Sequence, residues 1–172
     1  IVSGKGSDDL EGTEEWRRRW WSEIVSYTFQ GQYFWQGKGF GINLADDDGF
    51  HSPDAELRSP HNAHMTILAR MGVPGLAIWM LLQATFGLAM LRAFFRARTE
   101  GNTLWAQTDM WILVYWTAMI VNMTFDVYLE GPQGGIWFWS IFGLGLAALA
   151  AQSPGGTGSR SPTQEEPVDA RS

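Results

Sequence analysis

Residues 58–82 read RSPHNAHMTILARMGVPGLAIWMLL, and this stretch decides the fold. His61 and Asn62 stand just before a long apolar run, which is entered through Gly-Val-Pro-Gly at 72–75. About 20 mostly apolar residues cross the ~30 Å hydrocarbon core of a bilayer as a helix. A helix on a soluble protein normally keeps a polar face, and none is present from 73 to 82. The stretch therefore predicts a membrane helix with polar chemistry at its entrance.

Three apolar segments of this kind predict transmembrane helices, at about 67–92, 104–128 and 134–151. They form a predicted membrane domain at 61–151, preceded by a loop segment at 1–60. The tail at 152–172 is rich in Ser, Pro and Gly and lacks aromatic residues, so we expect it to be disordered. The predicted fold class is all-α, as a fragment of a polytopic membrane protein.

The arginines of the short loops predict which side each segment faces. Arg92, Arg96 and Arg98 lie between the first two predicted spans, whereas no Lys or Arg lies between the second and the third. Basic residues in short loops are retained on the cytoplasmic side. The first short loop and the tail are therefore predicted to be cytoplasmic, and segment 1–60 is predicted to lie on the outer side.

Composition disfavours several classes of function. The chain has no cysteine, which excludes disulfides, a thiol nucleophile and cysteine-ligated zinc. Its net charge is −6 and its longest basic run is the three arginines at 17–19, a pattern that disfavours nucleic-acid binding. The mean hydropathy of −0.12 averages polar ends with an apolar middle, so it does not indicate a soluble protein.

The outer segment predicts one helix followed by a loop. A helix is expected at about 14–30, with Thr13 as its N-cap and an aromatic face that begins at Trp16 and Trp20. That face is equally suited to packing on a core and to lying in the membrane interface. The Gly- and Asp-rich residues 37–54 are expected to be loop, and the DDDGF sequence within them lacks the ligand pattern of an EF-hand calcium site.

Several ionisable residues are predicted to meet on the outer face. His61 stands at the entrance of the first span, and Asp126 and Glu130 stand where the second span ends and the next loop begins. The arginines at 17–19 are assigned to the same side. Ionisable groups at membrane depth are candidates for function. The structural alternative is that His61 and Asn62 cap a helix that starts after Ser-Pro at 59–60.

The order of these motifs resembles the O-antigen ligase and polymerase family, which are multi-pass bacterial inner-membrane glycosyltransferases. His61-Asn62, nine residues, and then Gly-Val-Pro-Gly at 72–75 is similar to the family pattern His-Asn-x9-Gly-x-x-Gly. WRRRWW at 16–21 and GKGFG at 37–41 resemble the large periplasmic loop of the family. The resemblance covers about 16–151. Family members often carry an acidic residue before the first motif glycine, where this chain has Arg70-Met71.

The resemblance implies transfer of a glycan from an undecaprenyl-pyrophosphate carrier to a sugar acceptor, at the periplasmic face of the inner membrane, without a metal or other cofactor. His61 is the implied general base, a role that suits imidazole near neutral pH. An arginine is implied on the pyrophosphate, where its charged fork fits best. Arg17 is favoured for this role, and Arg18 and Arg19 are the alternatives. The residues implied in substrate binding are therefore Arg17, Arg18, Arg19, Asn62, Asp126 and Glu130.

Several roles stay open at this point. Asn62 either orients the imidazole or caps the helix, with capping favoured, and His64 is a candidate supporting residue. The glycines at 72 and 75 with Pro74 predict a bend and close helix contact. The family also implies about nine further spans upstream, by the same ~20-residue criterion. A polymerase, and a transport or structural membrane subunit, are the alternative functions.

Overall fold

The computed structural model describes residues 5–50, 59–126, 128–129 and 131–153. Within these ranges the protein is all-helical and contains no strand, which confirms the predicted fold class at that level. The helices are α1 (Lys5–Phe29), α2 (Leu44–Asp47), α3 (Ala63–Thr99), α4 (Thr103–Met123) and α5 (Pro132–Ala151). α3 packs against α1, α4 and α5, so it is the central element.

α3 consists of two helical segments joined at Gly72, whose φ of 69° lies in the left-handed region. In a continuous helix the N–H of Val73 would donate to the carbonyl of Ala69. The next residue is Pro74, which has no N–H to offer the carbonyl of Arg70. The break therefore leaves backbone groups without their helical partners, and the predicted bend at the glycine-proline motif is confirmed.

The loop of residues 33–39, between α1 and α2, supplies the missing partners. It donates two backbone hydrogen bonds to α3 and accepts one: Lys38 N–H to the Ala69 carbonyl at 2.7 Å, Gly39 N–H to the Arg70 carbonyl at 3.0 Å, and Val73 N–H to the Phe34 carbonyl at 2.8 Å. Buried backbone groups need such partners because an unpaired one costs about as much as a lost hydrogen bond. The 33–39 loop thus acts as a clamp on the break.

Two glycines permit this close approach of backbones. A Cβ on Gly37 would lie 2.4 Å from the carbonyl carbon of Arg70, and a Cβ on Gly72 would lie 2.4 Å from the carbonyl oxygen of Phe34. Both glycines also have positive φ. Any side chain at either position would push the loop and α3 apart.

The break folds α3 back on itself. Trp79 Nε1 donates to His64 Nδ1 at 3.1 Å, although the two residues are 15 positions apart. A straight helix would separate them by about 22 Å along its axis, at ~1.5 Å per residue. The segment before Gly72 therefore lies beside the first turns of the segment after it.

α1 packs on this folded region through its aromatic face. Trp20 and Ile24 are fully buried in a cluster with Leu44 of α2 and Leu68 of α3. The Trp20 ring stacks on Phe50 with centroids 5.0 Å apart. Of the two roles open for this face, core packing is the one that the structure supports.

The long segment of α3 forms a bundle with α4 and α5. Phe86 of α3 stacks on Phe142 of α5 with ring centroids 4.3 Å apart. A Cβ on Gly145 would lie 2.5 Å from the Phe86 ring, so this glycine lets the two helices approach. By length and composition, α3 and α5 are apolar enough to cross a membrane, whereas α4 is not among the helices that meet both criteria.

Several boundaries differ from the sequence prediction. α3 continues to Thr99, so Arg92, Arg96 and Arg98 lie on this helix and not in a loop, and α4 ends at Met123 rather than at about 128. α1 begins at Lys5, so Thr13 lies inside the helix and is not its N-cap. α2 forms inside the segment predicted to be loop, because the Asn43 side chain caps it. Gln152, assigned to the disordered tail, instead donates from Nε2 to Asp109 Oδ1 at 2.9 Å. The remainder of the predicted tail, 154–172, lies outside the described residues.

Gly37→Ala should destabilise the protein more than Gly39→Ala. Both glycines have positive φ, which costs an L-residue roughly 1–2 kcal/mol. Only at Gly37 would the new Cβ meet backbone, and overpacking adds about 1–3 kcal/mol. Thermal unfolding in detergent, followed by circular dichroism, measures the difference. Equal melting temperatures for the two variants would show that the loop does not clamp α3.

Candidate functional site

Asn62 is the N-cap of α3. Its side-chain Oδ1 accepts from the backbone N–H of His64 at 2.9 Å and of Met65 at 3.1 Å. The side chain is buried, and the preceding Ser59 and Pro60 are buried as well. The predicted capping role is therefore confirmed, and the amide oxygen of Asn62 is occupied by the helix end.

His61 is held in an unusual backbone conformation directly before this cap. Its φ of 51° is the only positive value among the described non-glycine residues. The imidazole is half-buried and meets Trp16 of α1 edge to face, with ring centroids 6.2 Å apart. Backbone conformations of this kind cost of order 1–3 kcal/mol and concentrate at functional sites. The backbone strain therefore makes His61 a candidate functional residue on grounds separate from the chemistry of its imidazole.

Arg17 differs from its two neighbours in its surroundings. Arg18 and Arg19 point outward and pair with Glu14 and Glu15, one helical turn earlier, at 2.6 Å and 3.1 Å. Arg17 is half-buried, and its Nε is buried without a hydrogen-bond partner among the described residues. The structure therefore separates one inward-facing arginine from two arginines engaged at the surface.

The face of α1 that carries Arg17 contacts the chain just before His61. Trp21, four residues after Arg17 and so on the same face, donates from Nε1 to the carbonyl of Pro60 at 2.8 Å. Trp16, next to Arg17 in the chain, makes the ring contact with His61. Two aromatic anchors thus bring the arginine helix onto the histidine segment.

Asp126 lies at the same end of the bundle as His61. The ring of His64, three residues after His61, hydrogen-bonds to the backbone of Ile120 in α4, and Asp126 follows six residues later. Asp126 itself is exposed. Glu130, the second predicted carboxylate, lies outside the described residues.

His64 has a structural role. Its Nδ1 accepts from Trp79, and its ring also hydrogen-bonds to the backbone of Ile120 in α4. These two contacts require a neutral ring with its proton on Nε2. His64 therefore ties both segments of α3 to α4.

A buried ion pair beneath the site was not predicted from the sequence. Lys38 pairs with Asp48, whose side chain is fully buried, and with Asp47 at 2.6 Å. Trp20 Nε1 donates to Asp48 Oδ2 at 2.6 Å, and Lys38 Nζ lies 4.3 Å from the centre of the Tyr27 ring. The available signal was the DDDGF sequence: an acidic cluster between glycines and aromatic residues suits a buried lysine as well as a metal.

Burial and the charges of the ion pair shift the pKa values of Tyr27 and Lys38. Burial, and then the charge of Asp48, raise the pKa of the Tyr27 hydroxyl far above its usual value. Burial disfavours the ammonium of Lys38, but hydrogen bonds and attraction from Asp47 and Asp48 outweigh this and leave its pKa raised. Both raised values mean stability that is full below pH ~10 and is lost as the pH rises further, because the unfolded chain then releases protons first.

The described residues contain no group of three or more His, Cys, Asp or Glu side chains placed to hold a metal ion. His61 precedes α3 in a strained backbone conformation, Arg17 is half-buried on the helix that contacts this segment through Trp16 and Trp21, and Asp126 is exposed. Such a set can exchange a proton and stabilise an anion.

In comparisons with known proteins, no family model, curated protein or solved structure matches the chain. The resemblance to the O-antigen ligase and polymerase family therefore rests on the motif residues alone. Any function has to follow from the geometry around His61 and from the apolar helices.

Lys38→Met should destabilise the protein strongly, because it leaves the buried Asp48 carboxylate without its cation. Breaking a buried pair from one side costs roughly 3–5 kcal/mol. Arg18→Met is the matched control, since it breaks the exposed pair with Glu14 and should change little. Thermal unfolding in detergent measures both, and similar melting temperatures would contradict a structural role for the buried pair.

Proposed function

We propose that the chain is part of a multi-pass bacterial inner-membrane enzyme that transfers a glycan from an undecaprenyl-pyrophosphate carrier to a sugar acceptor. The observation that supports it best is the seating of the arginine helix on the histidine segment, through Trp21 and Pro60. This contact brings the helix that carries Arg17, an anion-binding group, to the segment that carries His61, a proton acceptor, before an apolar helix. The reaction needs both.

The exposed surface of the bundle supports membrane insertion. In the most apolar 18-residue stretch of α3, and likewise in that of α5, only 33% of the residues are buried. The core helix of a soluble protein is mostly buried. Large apolar side chains such as Ile78, Leu81 and Ile136 are more than 60% exposed. An apolar surface of this extent is stable only against lipid or another protein.

We assign α4 as the third span and the site to the periplasmic side. α4 has 21 residues, which corresponds to about 31 Å and matches the hydrocarbon core. Arg92, Arg96 and Arg98 cluster at the other end of the α3–α4 hairpin from His61, so the positive-inside tendency assigns that end to the cytoplasm.

The proposed chemistry is a single displacement at the anomeric carbon. His61 accepts the proton of the acceptor hydroxyl as that oxygen bonds to the anomeric carbon. The bond from the anomeric carbon to the pyrophosphate oxygen breaks, and its electron pair leaves with the pyrophosphate. Arg17 stabilises the charge that develops there, through hydrogen bonds from its guanidinium. The proton on His61 is then released to solvent.

Substitution of His61 and of Arg17 tests this proposal. His61→Ala should lower transfer by about 10²–10⁴-fold, because it removes the general base. Arg17→Ala should lower it by about 10²–10³-fold, as loss of one charge-stabilising donor does elsewhere. Transfer of carrier-linked glycan is measured in membranes that contain the chain together with the predicted upstream spans.

Arg18→Ala is the matched control, because that arginine faces outward and pairs with Glu14. It should leave transfer unchanged. Full transfer by correctly inserted His61→Ala would disprove the proposal. A transport or structural subunit would form no glycosyl product, and its carrier binding would survive Arg17→Ala. The acceptor on which product accumulates separates a ligase from a polymerase.

A further inference from the structure

A groove runs between α3 and α4 at the end of the bundle away from His61. Its volume is about 610 Å³. Phe94 of α3 and Met110, Trp111 and Val114 of α4 form its apolar walls, and Arg98 and Thr103 lie at its mouth. All of its lining residues belong to α3, to α4 or to the turn between them.

We propose that this groove binds one acyl chain of a phospholipid whose anionic headgroup contacts Arg98. This proposal rests on the membrane insertion proposed above, but not on glycan transfer. It assigns a binding site to a surface that the proposed reaction does not use.

The length of the groove fits one leaflet. From Thr103 to Val114 the α4 wall rises about 16 Å, at ~1.5 Å per residue. Half of the ~30 Å hydrocarbon core is about 15 Å. An acyl chain that starts at the level of Arg98 would therefore end at the bilayer midplane, where the groove ends.

The charge at the mouth selects the headgroup. Arg98 is exposed, and its guanidinium carbon lies 6.0 Å from the centre of the Phe94 ring, which forms part of the apolar wall. One side chain thus joins the polar mouth to the acyl channel. The predicted cytoplasmic leaflet is the one in which basic residues meet anionic lipids. A phosphate with no compensating cation in its own headgroup should be preferred over a zwitterionic one.

The test uses the 172-residue chain in bilayer nanodiscs with equal amounts of phosphatidylglycerol and phosphatidylcholine. Native mass spectrometry after release counts the lipids retained per chain. We expect one tightly held phosphatidylglycerol. Arg98→Gln should weaken its binding roughly fivefold, as loss of one basic contact near a membrane surface does. Arg92→Gln is the matched control, because Arg92 does not line the groove.

A second variant tests the channel. Val114→Trp fills an exposed part of the groove wall and should lower retention of both lipids without unfolding the chain. Equal lipid binding by Arg98→Gln and Arg92→Gln would overturn the lipid site and leave membrane insertion intact. Release of the chain by alkaline carbonate would overturn both. A dimer that Val114→Trp dissociates would show that a second copy occupies the groove, which also overturns the lipid site.

Discussion

The exchange of backbone hydrogen bonds between the 33–39 loop and the break in α3 is the constraint on which the rest of the structure depends. Gly72 and Pro74 interrupt the helix, and the loop satisfies the groups that they leave. An unsatisfied buried group costs about 1–3 kcal/mol. Each segment stabilises the other, because the loop donates to the carbonyls of Ala69 and Arg70 and accepts from the N–H of Val73.

Lys38 connects this backbone clamp to the outer helix. Its N–H donates to the Ala69 carbonyl, while its ammonium pairs with Asp48, which Trp20 of α1 also contacts. A shift of α1 would therefore disturb the buried pair and the clamp together. This linkage fixes the position of the α1 face that meets Pro60 and His61. The residues of the proposed site come from distant parts of the chain, and the contacts of Trp21 with Pro60 and of Trp16 with His61 hold their segments together.

The sequence predicted the elements better than their junctions. The long apolar helices and the capping role of Asn62 follow from local patterns, in which the residues involved are close together in the sequence. The fold-back of α3 was predicted only as a bend, because its angle depends on a loop more than thirty residues earlier. The buried pair of Lys38 and Asp48 was missed, since burial of a charge is decided by tertiary contacts. The separation of Arg17 from Arg18 likewise depends on where Glu14 and Trp21 point in the folded protein.

Residue-resolved hydrogen exchange at the clamp tests the central claim most directly. The amides of Lys38 and Gly39 lie in a loop by sequence, and that of Val73 lies at a helix break, so without the clamp all three would exchange as exposed amides do. The structure gives each of them a backbone acceptor in the partner segment. We expect these three amides to be protected to the same degree as the interior of α3. Rapid exchange at all three, with the rest of α3 protected, would contradict the account.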